Sequence, residues 1–365
     1  MNSIRVKSLK HNYDIKVGSG LLEQAGELFK SLDFKGKVFL VTQRAIARHY
    51  LPKLIESLAD EGYVCEVFYV PDGEAAKSSE WLLKIYDQLI KRDFERRDVV
   101  AALGGGVVGD LAGFAASTYL RGLAFVNFGT TLLAQVDSSI GGKTAVNLKQ
   151  GKNLVGTFYP PRLVVSDVST LATLSRRELC ASLAEVVKYG MIRDKVLFKT
   201  LEQEHERILA RDTELLETLV LRSAAIKAEV VSRDEFEIKG ERMILNYGHT
   251  FGHAFEKVSG YKSLVHEEAV SVGMVCAARL AVSLKILEPK VEKRQNAVLK
   301  KLGLPVQLKG AHYRIPAILE AMLRDKKKRA GKLRFILPEK IGQVTVLENI
   351  PVQSLKRVLQ DVGAR

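Results

Sequence analysis

Asp98-Val99-Val100-Ala101-Ala102-Leu103-Gly104-Gly105-Gly106-Val107-Val108-Gly109-Asp110 begins as a short apolar run and ends in closely spaced glycines. The run, bounded by turn residues and rich in valine, predicts a strand buried on both faces; the glycines and the apolar pattern after them predict a tight turn into a helix. Gly104, Gly106 and Gly109 have the G-x-G-x-x-G spacing that lets a backbone approach a pyrophosphate at a helix start. The motif lies outside the first strand–helix unit, and no acidic residue follows about twenty positions on, as the dinucleotide fingerprint requires. Read alone, it fits a purely structural turn equally well.

Outward from this stretch, Lys37–Thr42, Val64–Val70, Ala124–Phe128 and Leu163–Asp167 are further strand-forming runs with helical patterns between them. Such alternation predicts an α/β amino-terminal domain with a Rossmann-like, mainly parallel sheet. Ile4-Arg5-Val6 and Tyr13–Val17 read as a small hairpin beside it. After about Ser175 helical periodicity takes over, in Arg177–Met191, Val196–Leu209, Thr213–Ser232, a histidine-bearing helix near 250, Glu267–Leu284 and Val291–Leu302. Residues 176–365 are therefore expected to form a mostly α-helical carboxy-terminal domain and residues 1–175 the α/β domain. Leu333–Leu337 and Gln343–Leu347 predict a late hairpin.

The formal net charge is +14, yet acids are interleaved with most of the basic residues, and the one basic run, Lys326-Lys327-Lys328-Arg329, is short. That pattern argues against a nucleic-acid partner. The most apolar stretch, Val99 to Ala116, is broken by glycines and Asp110, short of the roughly 20 residues of a membrane span. Cys65, Cys180 and Cys276 are scattered and odd in number, and the amino terminus lacks a signal-like apolar core, so the expected compartment is the cytoplasm.

Three of the seven histidines crowd into one region, His249 and His253 in Asn246-Tyr247-Gly248-His249-Thr250-Phe251-Gly252-His253-Ala254-Phe255-Glu256, and His266 after Val265. Residues four apart share a helix face, and imidazole is a common ligand of zinc, although solvated surface histidines give the same spacing. In Leu183-Ala184-Glu185-Val186-Val187-Lys188-Tyr189-Gly190, Glu185 lies on an otherwise apolar helix side, where an unpaired carboxylate is costly. With His249 and His266 it would make a two-histidine, one-carboxylate site. The segment Thr130-Thr131-Leu132-Leu133-Ala134-Gln135-Val136-Asp137-Ser138-Ser139-Ile140-Gly141-Gly142-Lys143, with Asn147 and Gly151-Lys152-Asn153, joins glycines, lysines and hydroxyls as a phosphate-handling loop does. Val70-Pro71-Asp72-Gly73-Glu74-Ala75-Ala76-Lys77 is a polar turn at a strand end, and a solvated turn would read the same way.

These motifs, in this order, resemble the sugar phosphate cyclases nearly end to end. The resemblance implies an enzyme that eliminates phosphate and closes a carbocycle, using NAD catalytically with a divalent metal, zinc or cobalt. By position it assigns Glu185, His249 and His266 to the metal, so His253 is not a ligand. It assigns Asp72, Gly73, Glu74, Ala75, Ala76 and Lys77, Gly106, Val107, Val108, Gly109 and Asp110, Thr130 and Thr131, Lys143 and Lys152, and Thr170, Leu171, Ala172 and Thr173 to NAD. Asp137, Asn153, Lys188, Lys227, Glu237, Arg242, Asn246, His253 and Lys326 match substrate-pocket residues, with Lys143, Lys152, Asn153 and Asn246 toward the phosphate. Arg121 is expected to reach across a homodimer interface. The chain departs from the family in carrying Glu267 where a glycine is usual and one extra residue in Asp234–Arg242; no ligand or phosphate lysine is lost. A metal-dependent polyol or glycerol-phosphate dehydrogenase is the nearest alternative among enzymes.

Overall fold

The structure is a computed structural model; it describes every residue except Tyr261, Lys262, Ala311 and 329–332, and for 325–328 the backbone alone. By internal contacts the chain divides into two units, Met1–Leu174 with Thr213–Ile238, and Ser175–Asp212 with Lys239–Arg365.

The first unit is built on a seven-stranded sheet. Its strands are β1 (Asn2–Val6), β2 (Tyr13–Gly18), β3 (Val38–Gln43), β4 (Cys65–Val70), β5 (Val99–Gly104), β6 (Ala124–Gly129) and β9 (Leu163–Asp167), while β7 (Lys143–Leu148) and β8 (Gly151–Phe158) form a separate hairpin. The order is β1-β2-β9-β6-β5-β3-β4, with β1 antiparallel to β2 and every other pair parallel. Alternate residues face opposite sides of a strand, and here each side has its own core. Val38, Leu40, Val99, Ala101 and Leu103 pack with Leu54 and Leu58 of helix Arg44–Asp60. Phe39, Val41, Val100 and Ala102 pack with Ile85 and Leu89 of helix Ser79–Lys91 and with Leu111. Burying each large aliphatic side chain contributes roughly 1.5–3 kcal/mol, which is why these strands read as unbroken apolar runs.

From β3 the chain steps outward to β4, then returns past β3 to β5 on its other side. The carboxyl ends of β3 and β5 are thus the point where connections leave in opposite directions, the place where open α/β sheets bind ligands. Gly104, Gly105 and the start of helix Gly106–Thr118 lie at that point. A Cβ on Gly109 would meet the Asn127 amide nitrogen at 2.8 Å, and one on Gly113 the Thr144 methyl at 2.6 Å. Glycine here lets the helix lie close on the strands beneath it.

The second unit contains helices Arg176–Ile192, Lys195–Gln203, His205–Leu209, His249–Val258, His266–Ser283, Pro289–Lys301, Ile315–Lys328 and Val352–Asp361, with the hairpin β10 (Arg334–Lys340) and β11 (Gln343–Glu348). Ser175 and Glu178 form a capping box that starts the first of these helices. Both expected hairpins are present, and the parallel sheet is as read. Three readings need correction. The single helix expected over Val196–Leu209 is two, broken at Glu204. The loop expected from Thr130 to Asn153 instead contains the helical turn Ala134–Ser138 and the start of the β7–β8 hairpin. Helix Thr213–Arg233, expected in the carboxy-terminal domain, packs on β1 and β2 and belongs with the sheet. Among the described residues no helix is long and apolar enough to cross a membrane.

Candidate active site

In the helical unit, His249 and His266 occupy the first residues of two adjacent helices. The helices approach unusually closely: a Cβ on Gly273 would lie 2.0 Å from the Gly248 carbonyl oxygen, and one on Gly252 3.1 Å from the Val270 nitrogen. This contact brings the three imidazoles of His249, His253 and His266 together, with ring centroids 5.3 to 5.7 Å apart. One ligand nitrogen from each lies within 4.8 Å of the others. Helix Arg176–Ile192 adds Glu185, 1% exposed, whose Oε1 is 3.7 Å from His249 Nε2. Lys188, one turn on and equally buried, pairs with Glu185 through Oε2.

The outer nitrogen of each expected histidine ligand is engaged. His249 Nδ1 is 3.2 Å from the Tyr247 carbonyl oxygen, to which it donates as the neutral ring, leaving Nε2 with its lone pair. His266 Nδ1 is 3.0 Å from Glu256 Oε2, so Nε2 is the nitrogen turned away from that carboxylate. Burial holds the His249 imidazole well below its ordinary basicity, with Lys188 and the other two histidines acting in the same direction. For His266, burial also lowers basicity, but the hydrogen bond and charge of Glu256, together with the charges of Glu185 and Glu267, make the net shift upward. Burial raises the carboxyl of Glu267, the residue in the usual glycine position. Two imidazole lone pairs and a buried carboxylate whose Oε1 faces His249 suit a divalent ion such as zinc. His253 is exposed, and Asn246 and the buried Arg242 lie on the 3-10 turn Glu241–Asn246. Lys326 lies outside the residues whose side chains are described.

In the sheet unit, the glycine turn after β5 is surrounded by uncommitted polar atoms. The hydroxyls of Thr130 and Ser138 are buried without hydrogen bonds, and a Cβ on Gly106 would come within 2.9 Å of the latter. Thr131 crowds Gly105 and accepts the Ala134 amide at 3.1 Å. A phosphate-bearing nucleotide fits such a turn, with bare glycine backbone and hydroxyls to meet it. Lys77 binds Asp110 and donates to Asn153 Oδ1 at 2.5 Å. Asn147 ties this corner to the preceding turn by donating to Glu74 Oε1 at 2.7 Å and accepting the Asn153 amide at 3.0 Å. Asp72, Gly73 and Ala75 are exposed around it, as are Lys143 and Lys152 on the hairpin.

Other expected residues make bonds within the sheet unit. The Thr170 hydroxyl donates to the Asp167 carbonyl at 2.7 Å and accepts from the buried Gln135 amide at 3.1 Å, and Leu171 is buried. Of that segment only Ala172 and Thr173 are exposed. Lys227 pairs with Asp137 Oδ1 and its carbonyl oxygen, each at 2.7 Å, and Lys143 pairs with Glu237 at 2.5 Å. Arg121 is exposed at a left-handed turn, φ 67°, beside Leu120, φ 47°. Sequence reasoning passed over Gln135 and Tyr247 and noted Glu256 only as a polar neighbour of the histidines. Glu256 had a signal: it lies on the helix face already marked by His249 and His253.

Comparison with known proteins bears on both units. The family models described as 3-dehydroquinate synthase N-terminal and 3-dehydroquinate synthase C-terminal match residues 67–181 and 182–328. A 3-dehydroquinate synthase from Synechococcus sp. is 46% identical over 96% of this chain and 96% of its own length. The structure of 2-epi-5-epi-valiolone synthase from Streptomyces hygroscopicus subsp. jinggangensis, with NAD+ and Zn2+ bound, is similar at a TM-score of 0.89 and 28% identity, covering 98% of this chain and 99% of that one. That of 2-deoxy-scyllo-inosose synthase complexed with carbaglucose-6-phosphate, NAD+ and Co2+ has a TM-score of 0.87 at 25% identity, covering 99% and 100%.

Proposed function

The chain belongs to the 3-dehydroquinate synthase family, and we propose on that premise that it converts 3-deoxy-D-arabino-heptulosonate 7-phosphate into 3-dehydroquinate and inorganic phosphate. The observation that carries the reading is the pair of histidines at adjacent helix starts, each with its outer nitrogen engaged, facing a buried carboxylate. Glu185, His249 and His266 would hold zinc or cobalt, and the glycine turn of the sheet unit would hold NAD. When bound, the metal makes a substrate hydroxyl acidic and NAD accepts and returns one hydride, so that phosphate elimination, ring opening and aldol closure form a redox-neutral sequence.

The side chains divide that work. Lys188 balances the Glu185 charge and fixes its orientation. His253, exposed and beside the other two rings, moves protons near neutral pH. Lys143, Lys152, Asn153 and Asn246 bind the phosphate, Lys227 steadies Asp137, and Arg242 with Lys326 receives the substrate carboxylate, which suits an arginine fork. The same reading makes the chain a cytoplasmic homodimer with Arg121 at the subunit boundary. In its favour, β8 pairs only with β7 among the described strands and carries Leu154, Val155 and Phe158 exposed.

The test supplies the heptulosonate phosphate with catalytic NAD and Zn2+, following phosphate release and the product by NMR. One phosphate per dehydroquinate without accumulation of NADH is expected. Stoichiometric NADH would make the protein a dehydrogenase, and equal turnover of phosphosugars lacking the carboxylate would assign it to a different cyclase.

A further inference from the structure

His249, His253 and Glu256 stand at positions i, i+4 and i+7 of one helix, which places all three on a single face. The third member differs from the others in burial: Glu256 is 5% exposed, whereas His253 is exposed. A carboxylate is rarely buried without a specific partner. One partner here is His266, the first residue of the neighbouring helix, whose Nδ1 is 3.0 Å from Glu256 Oε2. The close glycine contact between the helices brings Glu256, the eighth residue of one helix, opposite the first residue of the next.

We propose that Glu256 is a positioning residue for the metal site: its carboxylate accepts the Nδ1–H of His266, fixing the tautomer and ring orientation in which Nε2 presents its lone pair to the ion. Glu256 lies on the Nδ1 side of the imidazole, away from Nε2, so it acts through His266 and is not itself a ligand. His249 is held by a backbone carbonyl, which substitution at Tyr247 does not delete. His266 is held by a side chain, so its orientation depends on one replaceable residue. Carboxylate partners of this kind also make the ligand more basic, and their loss typically weakens metal binding about 10- to 100-fold.

The inference rests on the metal reading above, and its test separates the two. Full-length wild type, Glu256→Gln, Glu256→Ala and His266→Ala are stripped of metal and titrated with Zn2+ against a chromophoric chelator, while urea unfolding of the metal-free proteins is followed in parallel. Glu256→Gln, which keeps an acceptor oxygen but not the charge, should bind Zn2+ about 10-fold more weakly, and Glu256→Ala about 100-fold. In Zn2+-loaded wild type, the His266 ring should show a protonated Nδ1 and an unprotonated, metal-bound Nε2 by nitrogen NMR. If His266→Ala loses tight Zn2+ while both Glu256 variants retain wild-type affinity, the positioning role is wrong and the site stands. If His266→Ala also binds as wild type does, the site itself is wrong. A purely structural Glu256 would lower urea stability in both variants with no change in Zn2+ affinity, and that outcome also overturns the proposal. Should Glu256→Ala fail to fold, Glu256→Gln and the NMR signature decide it.

Discussion

Replacing Gly273 with alanine tests whether the spacing of two helices sets the spacing of the ligands. The added methyl would lie 2.0 Å from the Gly248 carbonyl oxygen and 3.0 Å from its carbon, against 3.4 Å or more for ordinary contact. Both atoms are backbone, so no rotamer change relieves the clash, and helix His249–Val258 must move off helix His266–Ser283 by more than an ångström. Alanine's better helix propensity returns about 1 kcal/mol. Overpacking costs ~1–3 kcal/mol, and a backbone clash this deep belongs at the upper end, for a net loss of about 2 kcal/mol. Metal sites tolerate ligand displacements of only about 0.2 Å. His249 adjoins Gly248 and moves with it, so Zn2+ affinity should fall at least about tenfold. Gly252→Ala is the contrast: its nearest new contacts, at 3.1 and 3.2 Å, relax by a few tenths of an ångström. Its stability should stay within about 1 kcal/mol of wild type. Urea unfolding of the metal-free protein and chelator competition with Zn2+ measure the two effects. A Gly273→Ala protein with wild-type stability and Zn2+ affinity would refute the idea that this contact positions the ligands.

Arg242→Leu should lose about 2–5 kcal/mol of transition-state binding toward the carboxylated substrate while NAD and Zn2+ binding survive; kcat/KM near wild type would remove Arg242 from carboxylate recognition. Metal analysis of His266→Ala and Glu185→Gln should show loss of the stoichiometric ion, and retention in either would exclude that residue as a ligand. A fourth prediction concerns pH. Burial pushes the Asp110 carboxyl up to about 6 despite the attraction of Lys77, above the roughly 3.9 of an unfolded chain. The folded state therefore binds that proton more tightly, and this group's contribution to stability is greatest below about pH 4 and declines by about 2–3 kcal/mol as pH rises through the folded value. Asp110→Asn should flatten that part of the stability–pH curve, and an unchanged slope in urea titrations would show that another group carries it.

The parallel sheet was legible because its strands are buried on both faces, which forces unbroken apolar runs such as Val99–Leu103 between turn residues. The β7–β8 hairpin was not: Gly151–Phe158 is mostly exposed, so its sequence lacks the alternation that one buried face would impose. Helix Thr213–Arg233 was legible as a helix but not as part of the sheet unit, because periodicity reveals an apolar stripe without saying which surface covers it. In the site, Glu185 stood out as a carboxylate among apolar neighbours and His266 through the crowding of three histidines, while the choice of His266 over His253 as a ligand came from the family resemblance. Lys77 and Asp110 were each singled out, but their pairing, like that of Glu256 with His266, escaped because tertiary packing brings together partners distant in sequence.

Segment Thr213–Ile238 completes a unit begun at Met1, so β1 and β2 leave the ribosome long before the helix that packs on them. At about 5–20 residues per second, that interval lasts seconds or longer. Residues Ser175–Asp212 emerge within it, ahead of the stretch from Lys239 onward that their own unit requires. The two units are therefore interleaved in time as well as in sequence, and neither can finish before synthesis of the other has begun. A truncated chain ending near residue 175 lacks the helix that packs on β1 and β2.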